Sequence, residues 1–204
     1  MNIPKTKIYA AVGILLAVSF LFFCAGMSAF SKSRKAKEKI VYCEFGVPEA
    51  VAEEVKGKYD FLPTEISDYI CLLGNQLDVD TDLAVSILLR ENPQLITEAV
   101  HTNPNGTIDI GLWQLNDRYL WANFVPRYWK LESEFDPFNW KMNTFIALHL
   151  LSDLSESLKV KDDVIMAYNC GSAAVMQGNI PDTTISYLAA VNLNYKMLKN
   201  GAEQ

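Results

Sequence analysis

Histidine and cysteine are scarce in this chain of 204 residues: there are two of the first and four of the second. With only His101 and His149, and no Cys-x-x-Cys, a zinc centre lacks its usual ligands. Cys24 sits inside an apolar run, which leaves Cys43, Cys71 and Cys170. Three is an odd number and far too few for a disulfide scaffold of this length, so at most one intrachain pair forms and buried apolar cysteine is the plainer reading. Charged residues make up only 21% against 50% hydrophobic, which excludes a disordered or low-complexity chain. No Walker loop, Gly-x-Ser-x-Gly or His-Glu-x-x-His is present. A Cys–His peptidase built from Cys71 or Cys170 with His101 or His149 has no local signature to support it. Asp78-x-Asp80-x-Asp82 imitates the start of a calcium loop, but Leu83 stands where glycine is needed and Leu89 where glutamate is needed. Helix capping accounts better for these aspartates.

Basic charge is also short, and it is unevenly spread. The net charge is −6, yet residues 1–39 hold seven bases against one acid, leaving 11 bases and 23 acids for the rest. A body this acidic repels phosphate backbones, so nucleic acid is not an expected partner. An uncharged or mixed-charge substrate such as a glycan stays open.

What the chain does have at its start is a long apolar run. Ile8–Phe30 is 23 residues without a charge, enough for a helix to cross a bilayer. Lys5 and Lys7 precede it, as in a signal anchor. The run is longer than a usual cleaved signal, and the small-x-small pair Gly26 and Ser28 is a weak cleavage site, so an uncleaved anchor in membrane lipid is expected. The organisation read from the sequence is residues 1–30 as the anchor, 31–47 as a basic juxtamembrane linker and 48–204 as the folded domain. Five bases follow the span and two precede it, which by the positive-inside rule favours a cytoplasmic body. The chemistry argued below needs the opposite side, and the linker could instead lie on anionic headgroups.

In the body, helical periodicity marks Pro63–Leu77, with Ile66, Tyr69, Ile70, Leu73 and Leu77 on one face. Pro48–Lys58 fits one short helix. A next helix, capped by Asp80 or Thr81, should stop at Asn92-Pro93 because a residue before proline avoids the helical region. Thr97–Ile110 alternates loosely around Asn105-Gly106, the strongest short hairpin signal. Helical patterns follow near Tyr119–Tyr128, Trp140–Leu158, Asp162–Asn169, Ser172–Gln177 and Thr183–Leu198. The expected fold is mostly α, a helical bundle with one small β-hairpin, preceded by the membrane helix.

Glu91 ends the apolar run Leu88-Leu89-Arg90-Glu91. Apolar neighbours and the negative end of a helix dipole both disfavour its charged form. A carboxyl kept protonated near neutrality suits the general acid of a glycan-cleaving enzyme. On residue type alone, a surface glutamate paired with Arg90 or a lysine is the plainer reading.

The surrounding motifs bear on that choice. Asn105-Gly106-Thr107-Ile108-Asp109-Ile110-Gly111-Leu112-Trp113-Gln114-Leu115-Asn116 resembles the stretch after the catalytic glutamate in soluble-lytic-transglycosylase-like domains of the lysozyme-like superfamily. Asp136-Pro137-Phe138-Asn139 is similar to the family's Asp-Pro-x-x-Asn helix start, Ala167-Tyr168-Asn169-Cys170-Gly171 to its Ala-Tyr-Asn-Ala-Gly, and Ile180-Pro181-x-x-Thr184-x-x-Tyr187 to its closing Pro-x-x-Thr-x-x-Tyr. The resemblance spans about residues 63–200, with four motifs in order. It implies a lysozyme-like α+β fold and an enzyme that cleaves the β-1,4 bond between N-acetylmuramic acid and N-acetylglucosamine in peptidoglycan. By that likeness Glu91 acts first as acid and then as base, leaving a 1,6-anhydromuramyl end, and no metal or organic cofactor is needed. Tyr187 would orient Glu91. Gln114, Asn116 and Asn169 would meet sugar N-acetyl or hydroxyl groups. Trp113 and Tyr168 would offer flat faces to sugar rings, although core packing serves such rings equally well. Gly111 would let the backbone approach the glycan. Partners implied are peptidoglycan strands, the membrane lipid around residues 8–30 and an envelope-spanning machine. The expected location is a bacterial cytoplasmic membrane, single-pass, with the domain on the wall side.

Three departures stand out: Asn92 follows the acid where the family has serine, Trp113 replaces methionine and Cys170 replaces alanine. Asp109 leaves a second reaction open. Animal-type lysozymes carry their second carboxylate at the matching place, and two carboxyls about 5–5.5 Å apart permit retaining hydrolysis. An inactive glycan-binding anchor is the third alternative.

Overall fold

In the computed structural model of the protein, residues 59–201 are described. The expected membrane span, the basic linker, the short helix at Pro48–Lys58, Cys24 and Cys43 all lie outside them. Among the described residues no helix is long and apolar enough to cross a membrane.

Helix α1 (Thr64–Leu77) starts directly after Pro63 and ends where Asp78 turns left-handed at φ 55°. Gly74 is required here by space, since a Cβ would lie 2.6 Å from Cγ2 of Thr81 at the head of the next helix. That helix, α2 (Thr81–Glu91), is capped by Asp80, whose side chain accepts the backbone N–H groups of Asp82 and Leu83. It is buried on nearly every side from Asp82 through Leu88, as befits the central rod of a core. It stops at Glu91, with Asn92 leaving the helical region before Pro93, as the sequence requires.

Strands β1 (Val100–Thr102), β2 (Ile108–Ile110) and β3 (Leu115–Asn116) form an antiparallel sheet in that order. The expected hairpin is present, and a third strand extends it. The hairpin loop spans five residues: Asn103 N–H donates to Thr107 at 2.8 Å, Gly106 N–H donates to Asn103 at 2.9 Å, and Gly106 takes φ 79°. β3 escaped the sequence reading because two residues show no alternation. It exists because a turn, with Gly111 at φ 78° and Gln114 at φ 48°, folds the chain back onto β2.

The stretch expected as one helix near Tyr119–Tyr128 is broken into α3 (Asp117–Tyr119), a π-helical turn (Leu120–Phe124) and α4 (Val125–Tyr128). Pro126 has no N–H to continue an α ladder, so the preceding turn widens and a new one starts around it. Helix α5 (Trp140–Leu158) is capped by Asn139, whose oxygen accepts from Lys141 and Met142 N–H. It is followed by α6 (Lys161–Cys170), α7 (Ser172–Gln177) and α8 (Asp182–Gly201). α8 packs along α2 and α6, and α5 packs against α1 and α6. The core between them holds Ile87 and Leu88 of α2, Ile146, Leu148 and Leu151 of α5, Ile165 of α6 and Val191 of α8, all at most 1% exposed.

Candidate active site

α2 delivers Glu91 to its carboxyl end, beside α8 and the sheet. α8 runs antiparallel to α2, so its first turns meet the last turn of α2. There the Tyr187 hydroxyl donates to Oε1 of Glu91 at 2.6 Å. Tyr187 is itself buried, and burial together with the facing Glu91 keeps its hydroxyl well above the ordinary phenol range. It therefore stays a donor. Glu91 is pushed up from 4.5 to about 7, first because its carboxyl is withdrawn from water, with the nearby Asp109 charge adding to this. The Tyr187 hydrogen bond and the Arg90 charge pull the other way without prevailing. The expectation of a protonated acid at position 91 thus rests on burial more than on any single neighbour.

The motifs that lie apart in sequence are tied together here by hydrogen bonds. Tyr168 of α6 donates its hydroxyl to the Trp113 carbonyl at 3.1 Å, and its phenol feels both Glu91 and Asp109. Asn169 accepts the Thr184 hydroxyl at 2.7 Å, joining the end of α6 to the first turn of α8. The turn 111–114 hangs on Asn143 at the start of α5, whose side chain accepts Trp113 N–H at 2.8 Å and donates to the carbonyls of Ile110 and Pro137 at 3.2 and 3.0 Å.

Several expected roles change on this view. Trp113 is fully buried and its indole donates to Thr144 Oγ1 at 2.9 Å. A ring with no exposed face has none to give a sugar, so Trp113 is a core residue, whereas Tyr168 is half-buried. Gly111 is buried, and its missing Cβ makes room for protein rather than glycan: a methyl there would lie 2.5 Å from both Asn143 Nδ2 and the Pro137 carbonyl. Gln114 spends both amide hydrogens on the carbonyls of Gly111 and Ala99, at 2.8 and 3.3 Å, leaving only its oxygen to face a ligand. Asn116 spends its own on Thr107 Oγ1 and Asp109 Oδ1, both at 2.9 Å, which makes it a holder of Asp109. Asn92 is buried and bonded to the backbone of Ile96 and Leu112, so the residue that stands for serine fastens the loop after α2 instead of serving the acid.

Asp109 lies on β2 with both oxygens held: Oδ1 by Asn116 and Oδ2 by Asn103, each at 2.9 Å. The donors are side-chain amides of Asn103 and Asn116, not the turn amides near Gly106. Sequence reading missed Asn103. Its signal was available in the period of two, which, carried one residue past β1 and one before β2, sets Asn103 and Thr107 on the face of His101 and Asp109. Asn143 was missed too, and nothing in its local sequence announces it.

Among the described residues no group of three or more His, Cys, Asp or Glu could hold a metal ion. The chain matches the sequence profile of the transglycosylase SLT domain over residues 75–182, just over half its length and all of the site except Thr184 and Tyr187. It belongs to the transglycosylase SLT-domain family. Members of this family are lytic transglycosylases acting on peptidoglycan, and the mostly helical chain with its small antiparallel sheet agrees with the lysozyme-like fold. No curated protein and no solved structure matches the chain.

Proposed function

We propose that this SLT-domain protein cleaves the β-1,4 bond between N-acetylmuramic acid and N-acetylglucosamine without consuming water. Glu91, protonated, gives its proton to the glycosidic oxygen as the bond to the anomeric carbon breaks. Glu91, now a carboxylate, takes the proton from the muramyl C6 hydroxyl. That oxygen attacks the anomeric carbon and closes a 1,6-anhydro ring. The proton count balances on one residue, and no second acid or water is called on. The observation that carries this reading is a carboxyl near neutrality in its proton affinity, at about 7, with a single oriented donor at 2.6 Å. An acid tuned close to the working pH serves equally well in giving and in taking back the proton.

The developing positive charge on the sugar falls near Asp109, a fixed anion suited to steady it. Tyr168 offers the half-exposed ring, and Thr184 occupies the oxygen of Asn169, turning that residue toward a ligand as a donor. A hydrolase using Asp109 as second carboxylate would leave reducing ends instead. Mass spectrometry of digested peptidoglycan separates the two: anhydromuramyl ends are expected, and reducing ends carrying added water would replace this mechanism with hydrolysis. Glu91→Gln should lower cleavage by about 10²–10⁴-fold with the fold kept; unchanged muropeptide profiles in that variant would leave only a binding role.

A further inference from the structure

The face of the sheet that carries Asp109 is polar from edge to edge. Register sets His101, Asp109 and Asn116 in one row across the three strands, and Asn103 and Thr107 extend it toward the loop. Within it the side chains form a closed network. Asn103 Nδ2 donates to Asp109 Oδ2 at 2.9 Å and to Thr107 Oγ1 at 3.2 Å; Asn116 Nδ2 donates to Asp109 Oδ1 and to the same Thr107 hydroxyl, both at 2.9 Å. Thr107 in turn donates its hydroxyl and its backbone N–H to Asn105 Oδ1, at 2.8 and 3.0 Å. The Ile108 N–H on the neighbouring residue is taken by Asp117 at 3.1 Å.

Such a grip has a physical reason. Asp109 is only half-buried, and its charge is felt at Glu91 and at Tyr168. A carboxylate within electrostatic reach of a second, largely desolvated carboxyl is repelled toward water as soon as that carboxyl ionises. Two donors, one for each oxygen, oppose the swing. We propose that Asn103 and Asn116 are positioning residues that clamp Asp109 toward Glu91, so that Asp109 works as a fixed negative charge rather than as a mobile nucleophile. The inference rests on the reading of Glu91 as the acid, and it gives two residues that bond Asp109 the task of deciding where the second charge stands.

The test is the titration of the Glu91 carboxyl by carbon NMR in the full chain, which needs no turnover. Four forms are compared: the parent, Asp109→Asn, Asn103→Ala with Asn116→Ala, and all three changes together. The Glu91 midpoint, about 7 in the parent, should fall in Asp109→Asn because a like charge is gone. The clamp variant should fall by at least half as much, because the freed carboxylate turns to solvent. The triple variant should match Asp109→Asn. A clamp variant that titrates with the parent, or an Asp109→Asn midpoint that does not move, overturns the proposal. Asn103→Ala alone, in an exposed loop, supplies the same comparison if the double change disturbs the fold. Cleavage gives the second readout: the clamp variant should lose about 10–100-fold in kcat with KM held, and lose nothing further in the Asp109→Asn background. An additive loss would mark a purely structural role and overturn it. If the parent makes no anhydro ends, the transglycosylase reading fails while the titration still decides the clamp.

Discussion

The two ends of α2 each hold an acid drawn away from water, Asp82 fully and Glu91 in part, and they treat them in opposite ways. At the amino end Asp82, 1% exposed, receives the Lys199 ammonium at 2.6 Å and the Tyr59 hydroxyl at 2.5 Å. Asp80 beside it caps the helix and accepts the Tyr195 hydroxyl at 2.6 Å. Here the helix dipole and a cation both favour negative charge. At the carboxyl end Glu91 has one neutral donor, a dipole of the wrong sign and a second acid nearby. Burial alone therefore does not decide what an acid does. Asp82 is paired to hold α8 in place, whereas Glu91 is left a proton's worth short of partners, and that shortage makes it useful.

The contrast can be strained at either end. The largest expected effect is on stability. Because Glu91 binds its proton more tightly folded than unfolded, its contribution is whole below pH 4.5 and is lost as the pH rises to about 7. Across that window the shift is worth about 3 kcal/mol. Glu91→Gln should recover most of it, so the variant should be more stable than the parent by about 2–3 kcal/mol at pH 8 and near parity at pH 4 in urea unfolding. Equal stability at both pH values would mean that Glu91 is not strained.

Lys199→Met should act the other way. It removes the cation from Asp82 but leaves the Tyr59 hydroxyl, and Lys199 is nearly half exposed, so a loss of about 1–3 kcal/mol is expected. The pH at which cleavage falls off should stay put, which separates the structural end of α2 from the chemical one. A moved pH profile would break the separation.

The smallest and sharpest effects concern the alkaline limb of cleavage, expected near pH 7 because Glu91 must start protonated. The Tyr187 hydrogen bond favours the charged form, so Tyr187→Phe should carry the limb to higher pH while lowering kcat about 10-fold through lost orientation. Asp109→Asn should carry it to lower pH. Shifts of the same sign in a rate profile would refute the balance of forces described around Glu91.

Most of the helices were legible from periodicity and capping, because those are local properties: Asp80 ahead of α2, Asn92-Pro93 behind it and Asn139 ahead of α5 act within one turn of themselves. The π-helical turn before Pro126 and the two-residue strand β3 were not. The first is a compromise between a missing donor and packing, and the second is too short to carry a period. At the site, residues from separate family motifs are joined by hydrogen bonds, Tyr187 to Glu91 and Tyr168 to Trp113. Trp113 and Gly111 read as sugar contacts because aromatic rings and glycines serve both binding and packing, and their burial places them in packing.

The amino-acid order by itself determined where most of the helices lie, that an apolar helix finishes in glutamate, and that four motifs of one family follow it. Which oxygen each amide grips, which ring is sealed inside and how strongly position 91 holds its proton were settled only when α8, α6 and the sheet closed around the end of α2. Those are properties of distance and of excluded water between segments up to 96 residues apart, and a linear chain contains neither.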